Sequence, residues 1–129
     1  MTEFALDASA VIAFLLGERG GDIVEPVLAQ SSMTTVNLSE VVAHFARKAK
    51  NHAEIQDMLR RLPIAFVPFD EALAFDAGML IKATKPAGLS FGDRACLALA
   101  RSRGAKVLTA DRAWARIASI VDVEIEVIR

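Results

Sequence analysis

The chain has 129 residues, 53% of them hydrophobic, with a mean hydropathy of +0.37 and a formal net charge of −1. That length suits a single domain, residues 1–129, with a proper core, and the balanced charge excludes a broadly basic coat for nucleic acid. The longest unbroken aliphatic or aromatic run, Ala10 to Leu16, is seven residues, far below the roughly 20 that cross a bilayer, so no membrane span is expected.

The opening Met1-Thr2-Glu3-Phe4 lacks the basic leader and apolar core of a secretion signal. Cys96 is the only cysteine, which fits a reducing compartment, and a cytoplasmic protein is expected. The surplus of apolar residues then points to a partner interface.

In chain order, Glu3 to Asp7 reads as a first strand with its acid at the carboxyl end, followed by an apolar helix from about Ala10 to Leu16. Gly17, Gly20 and Gly21 punctuate, and a short helix runs to about Gln30, with Pro26 in a first turn or at a break. Met33 to Val36 reads as the second strand. The next helix carries Leu38, Val41, Val42, Phe45, Ala46 and Ala49 at helical spacing, and Asn51 ends it. Another helix puts Ile55, Met58, Leu59 and Leu62 inward.

Ile64 to Val67, between Pro63 and Pro68, is a third strand. Asp70 caps a long helix with Leu73, Ala74, Ala77, Leu80 and Ile81, and Lys85 to Gly88 is a loop. A nearly all-apolar helix from Ser90 to about Arg103 stops at Gly104. Lys106 to Ala110 is a fourth strand, Asp111 to Ile120 a helix and Glu124 to Ile128 a last strand. Strands separated by helices of this length predict crossover units, hence an α/β/α sandwich around a mostly parallel sheet of four to five strands.

Four acids, Asp7, Glu40, Asp93 and Asp111, fall where a strand ends or a helix begins. In an α/β protein those junctions gather at the carboxyl edge of the sheet, where ligands bind. Carboxylates crowded there repel one another unless a cation neutralises them, so the pattern predicts a site for Mg²⁺ or Mn²⁺, which prefer hard oxygen ligands. One such ion, or two, activates water for attack on a phosphate ester.

The bland alternative is local. Asn37-Leu38-Ser39-Glu40 and Ser90-Phe91-Gly92-Asp93 both have the spacing of a capping box, Asp7 suits a turn, and Asp111 a helix cap. Ser9 and Thr109 place small hydroxyls beside Asp7 and Asp111, either to orient a carboxylate or as ordinary cap and strand-end residues. Arg94 and Arg112 directly follow two of the acids, either to steer a phosphate or to lie solvated and paired. His44 and His52 lack ligand spacing and read as ordinary helix residues, Cys96 as a buried thiol and Trp114 as a core anchor. Ser90 is not set in a Gly-x-Ser-x-Gly elbow, and neither a P-loop nor a Gly-x-Gly-x-x-Gly motif occurs.

Four blocks of the chain, in order, resemble the PIN-domain nucleases, specifically the VapC-like toxins of bacterial toxin–antitoxin pairs. They are Leu6-Asp7-Ala8-Ser9, Asn37-Leu38-Ser39-Glu40-Val41, Gly88 through Asp93 to Ala100, and Val107-Leu108-Thr109-Ala110-Asp111 to Trp114. The resemblance implies a PIN-like α/β/α sandwich, with Asp7, Glu40, Asp93 and Asp111 as the catalytic, metal-binding acids and Ser9 and Thr109 as their neighbours. It implies Mg²⁺- or Mn²⁺-dependent cleavage of RNA, inhibition by a VapB-like antitoxin, and a homodimer. The stretch Val11 to Leu16 and the pair Val27-Leu28 are then expected to supply antitoxin or dimer surface. Two alternatives stand beside it: a PIN-type nuclease acting on DNA or other nucleic acid outside such a pair, and a receiver-like phosphoacceptor domain with Asp70 as acceptor.

Overall fold

The computed structural model describes residues 3–129; Met1 and Thr2, on which part of the leader argument falls, lie outside them. Five strands, β1 (Phe4–Leu6), β2 (Ser31–Thr34), β3 (Ala65–Val67), β4 (Lys106–Thr109) and β5 (Ile125–Val127), form one sheet in the order β3-β2-β1-β4-β5. Every pairing is parallel: Ala5 sits opposite Val107 on one side and Ser32 on the other. The order differs from the 2-1-3-4-5 of receiver-type sheets, which corrects the receiver alternative. The chain winds outward from β1 to β3, then returns to start again at β4, so the switch point lies between β1 and β4.

Among the described residues, eight α-helices connect these strands: α1 (Ala8–Leu16), α2 (Gly21–Val24), α3 (Thr35–Arg47), α4 (His52–Arg60), α5 (Glu71–Met79), α6 (Ile81–Thr84), α7 (Phe91–Arg103) and α8 (Ala118–Val121). Alternation along the strands separates two cores. Ala5 and Val107 face a layer built on α5, α7 and the last turns, with Leu73, Ala77, Leu97 and Trp114. Leu6 and Leu108 face a layer built on α1 to α4, with Val11, Val41, Phe45, Ile55 and Leu59. The expected α/β/α sandwich is what the chain forms, with all five strands parallel. No helix of the described residues is long and apolar enough to cross a membrane.

Several boundaries differ from expectation for local reasons. The second strand ends at Thr34, because the Thr34 hydroxyl accepts the Asn37 N–H at 3.1 Å and starts α3 there. The expected helix to Gln30 is α2 followed by a 3₁₀ turn over Glu25–Gln30, with Pro26 at the break. The long helix after Asp70 stops at Met79 and resumes as α6, just past Gly78, a poor helix former. Lys85–Ala87 forms a 3₁₀ turn within the expected loop. After Asp111 the chain makes a 3₁₀ turn over Arg112–Arg116 and then the single turn α8. Three residues per turn set Trp114 and Ile117 on one side, and both are buried.

The apolar surplus is placed differently from the sequence reading. Val11, Ala13 and Leu28 are core residues, and in the Val11–Leu16 stretch only Leu16 is exposed. The most open large apolar side chains are instead Phe75 and Met79, each 71% exposed, and Ile120. Cys96 is fully buried beneath the sheet, as expected of an inert thiol.

Candidate active site

Beyond the carboxyl ends of β1 and β4, at the switch point, lies a cavity of about 270 Å³. Asp7, Glu40, Asp93 and Asp111 all line it, together with Ser9, Ile12, His44 and Arg47. Residues more than 100 positions apart in sequence therefore share one recess.

Asp7 immediately follows β1 and caps α1. Its Oδ1 accepts from the Ser9 hydroxyl at 2.7 Å and the Ala10 N–H at 2.9 Å, and its Oδ2 accepts from the Thr109 hydroxyl at 2.6 Å. Those two hydroxyls also receive β4 backbone: Ala110 N–H donates to Ser9 Oγ at 2.9 Å and Asp111 N–H to Thr109 Oγ1 at 3.1 Å. Ser9 and Thr109 thus tie the end of β1 to the end of β4 through one carboxylate. The side chain is 4% exposed, and burial lifts its pKa from 3.8 to about 6, against the lowering pull of Thr109, Ser9 and Ala10; Asp93 adds to the rise.

Glu40 lies on the second turn of α3, one turn further into its helix than the capping-box spacing suggested. Asn37 is not a cap but the residue whose amide orients Glu40: Nδ2 donates to Glu40 Oε1 at 2.8 Å and to the Gly92 carbonyl at 3.0 Å. Thr34 in turn fixes the amide by donating to Asn37 Oδ1 at 2.7 Å. Gly92 is where α7 passes closest to this carboxylate; a Cβ there would stand 2.6 Å from Glu40 Cδ. Thr34, Asn37 and Gly92 were missed as site residues. Asn37 and Gly92 each stood inside a quoted motif, so their spacing to Glu40 and Asp93 was the available signal.

Asp93 does close the expected capping box on Ser90: the Ser90 N–H donates to Asp93 Oδ2 at 2.8 Å and the Asp93 N–H to Ser90 Oγ at 3.3 Å. The bland reading and the functional one coincide, since the box aims the same carboxylate at the cavity. Burial raises the pKa of both Glu40 and Asp93. Asn37 works against this at Glu40 and Ser90 at Asp93, while Asp93 adds to the rise at Glu40 and Asp111 to that at Asp93. Asp111 caps the 3₁₀ turn after β4, its Oδ1 accepting the Ala113 N–H at 3.0 Å. Beneath them the Cys96 thiol is pushed well up by burial, with the charges of Asp7, Asp93 and Glu40 adding to it.

Chemically the donor set is all hard oxygen, of one sign and mutually repelling, as suits a divalent cation of the Mg²⁺ type. Glu40, Asp93 and Asp111 each commit one carboxylate oxygen to a backbone or amide donor, leaving Glu40 Oε2, Asp93 Oδ1 and Asp111 Oδ2 without a donor among the described residues. No three of the described His, Cys, Asp or Glu side chains are already drawn tightly enough together to grip an ion. The acids stand around an open recess instead, which leaves room for waters and substrate oxygens in the coordination sphere.

Neither of the two residues offered for phosphate steering lines the cavity. Arg94 has a buried Nε with no hydrogen-bond partner among the described residues and lies near enough to Asp93 for its charge to lower that pKa, and Arg112 Nε donates to the Arg129 carbonyl at 3.3 Å. His44, expected as an ordinary helix residue, does line it, as does Arg47. Trp114 is fully buried in the core, and Asp70 caps α5 through the Leu73 N–H at 2.9 Å, away from the recess.

Comparison with known proteins follows the same outline. The family model described as PIN domain matches residues 4–120. No curated protein matches the sequence. Among solved structures, VapBC2 from Rickettsia felis bound to a promoter DNA fragment is 18% identical, with a TM-score of 0.70, over 97% of this chain and 98% of that one. DNA-bound VapBC from Salmonella typhimurium is 20% identical, with a TM-score of 0.71 over 98% of each chain. FitAcB from Neisseria gonorrhoeae is 19% identical, with a TM-score of 0.68 over 95% of each. At such identities the likeness is one of fold.

Proposed function

The chain belongs to the PIN domain family, and from that membership we propose that it is a divalent-metal-dependent endoribonuclease, the VapC-like toxin of a toxin–antitoxin pair. The observation that carries the reading is that Asp7, Glu40, Asp93 and Asp111 line one recess at the β1/β4 switch point. The fold shared with VapBC and FitAcB complexes supports a VapB-like antitoxin as the partner that silences it. A homodimer working in the cytoplasm completes the proposal.

Asp7, Glu40 and Asp93 would hold the principal ion, Mg²⁺ or Mn²⁺, with Asp111 completing that site or helping a second. When bound, the ion supplies an activated water and offsets charge on the phosphate oxygens. The protein's part is placement. Ser9 and Thr109 hold Asp7 with both oxygens engaged, so its position is fixed before any ligand arrives. Asn37 fixes Glu40 and the Ser90 box fixes Asp93, each leaving one oxygen toward the recess. Such preorganisation spares the reorganisation cost at the moment of reaction.

The test is cleavage of single-stranded RNA by the purified chain with Mg²⁺ or Mn²⁺, and by its Asp7→Asn and Asp93→Asn variants. Loss of cutting in both variants, and in the wild type with chelator, is expected. Full activity of either variant under strict control of divalent metal overturns the assignment. Cutting of single-stranded DNA in preference to RNA would favour the DNA-directed PIN nuclease instead.

A further inference from the structure

We infer that His44 and Arg47 form the phosphate-binding wall of the acid recess, where they hold the backbone of a single-stranded nucleic acid. The inference rests on the nuclease reading and names the part of the site that receives the substrate. A recess of four carboxylates repels a polyanion, and an ion offsets only part of that charge. Some fixed cation must face the strand.

Glu40, His44 and Arg47 follow at i, i+4 and i+7, so they stand in one row along the face of α3 that lines the recess. Arg47 is the only Lys or Arg among the described residues that does so. It is exposed, closes the last turn of α3 and has no acid within ion-pair distance among the described residues. His44 packs edge-on against Phe45, ring centroids 5.1 Å apart, and its buried Nε2 has no hydrogen-bond partner among the described residues. An exposed, unpaired guanidinium on one wall of a carboxylate recess, with an imidazole one turn back on the same face, matches the non-bridging oxygens of a phosphodiester, which guanidinium can grip with two bonds.

The exit from the recess has the same character. Residues 41–53 contain no acid, and Lys48 and Lys50 follow Arg47 in the exposed turn before α4. In a chain of net charge −1 this is a local track of positive charge beginning at the site itself.

The test measures binding apart from cleavage. In the Asp7→Asn background, which does not cut on the reading above, the affinity of a short labelled single-stranded RNA is followed by fluorescence anisotropy across a salt series. Arg47→Ala should weaken binding about tenfold or more and lower the log–log salt slope by about 0.7, with Arg47→Lys restoring the salt slope but only part of the affinity. His44→Ala should weaken binding by a smaller factor. Lys82→Ala, on α6 beside a separate hollow, serves as the control. An Arg47→Ala affinity within about twofold of its parent, or a loss no larger than that of Lys82→Ala, overturns the inference. Cleavage surviving Asp7→Asn would overturn the nuclease reading instead, so the two failures remain distinct.

Discussion

Asp7 is the group whose removal should separate stability from activity most cleanly. Its folded pKa of about 6 lies above the 3.8 of the free side chain. Between those values the native protein holds a proton that the unfolded chain has released. Stability is therefore fully present below about pH 4 as far as this group is concerned, and falls as pH climbs through 6. At about 1.4 kcal/mol for each pKa unit, the charged carboxylate costs the metal-free protein about 3 kcal/mol at neutral pH. Asn removes that charge but cannot reproduce every contact, since its amide nitrogen would meet the Thr109 hydroxyl that now donates to Oδ2. One compromised hydrogen bond offsets about 1 kcal/mol.

Asp7→Asn should accordingly stabilise the chelator-treated protein by about 1–2 kcal/mol at pH 7, a rise in Tm of several degrees, while abolishing cleavage. The assay is calorimetric unfolding in chelator from pH 4 to 8, with wild type and variant side by side. Their stabilities should converge, or cross, toward pH 4, part between pH 4 and 6, and keep a constant gap above that. Adding Mg²⁺ should then raise the wild type more than the variant, because binding to the native state alone is stabilising. Equal pH dependence of the two proteins, or a wild type more stable than Asp7→Asn at pH 7 in chelator, would refute the reasoning.

Gly92→Ala drives a Cβ into the Glu40 carboxylate, so Glu40 must move; cleavage should fall about a hundredfold while circular dichroism still reports a folded protein. Asn37→Ala frees Glu40 and removes the side-chain donor that α3 sends to the Gly92 carbonyl, at a cost of about 1 kcal/mol in denaturant unfolding together with lost activity. Thr109→Val removes the largest of the hydrogen bonds that lower the Asp7 pKa, so a pH–rate profile should show its acid limb displaced to higher pH.

Much of this site could be read from residue types. Asp7, Asp93 and Asp111 could be placed because each follows a recognisable strand or opens a capped helix, and parallel crossover topology gathers such junctions at one edge. Glu40 does line the recess, but the capping-box spacing was an incomplete reason to expect it there. The run Met33-Thr34-Thr35-Val36 has strong strand propensity, yet the Thr34 hydroxyl caps α3 and turns Thr35 and Val36 into its first residues. That shift moved Asn37 from a cap to the residue that holds Glu40. His44 and Arg47 carry no motif of their own; only their helical spacing from Glu40 reveals them, and that spacing has meaning only once Glu40 is known to face a site. The apolar surplus was a partial guide: Val11, Ala13 and Leu28 fill the core while Leu16 is exposed, and a hydrophobic helix reads alike whether it is covered by its own chain or by another.

The recess is a seam between two layers that fold around separate cores. Asp7 is anchored where the α1 layer meets β4, Glu40 belongs to α3 above one face of the sheet, and Asp93 to α7 above the other. The helices α3 and α7 pack together past the sheet edge, and the Asn37-to-Gly92 hydrogen bond crosses that contact at 3.0 Å. A side chain at position 92 would displace the Glu40 carboxylate, and loss of Asn37 would remove the amide that ties that carboxylate's helix to α7. The placement of Glu40 against Asp93 thus depends on one missing Cβ and one amide at this contact as well as on the Ser90 box of Asp93's own helix. Substitutions at that contact should alter metal affinity as strongly as substitutions of an acid, and a titration in which Gly92→Ala binds Mn²⁺ as tightly as wild type would show that the two layers place their acids independently.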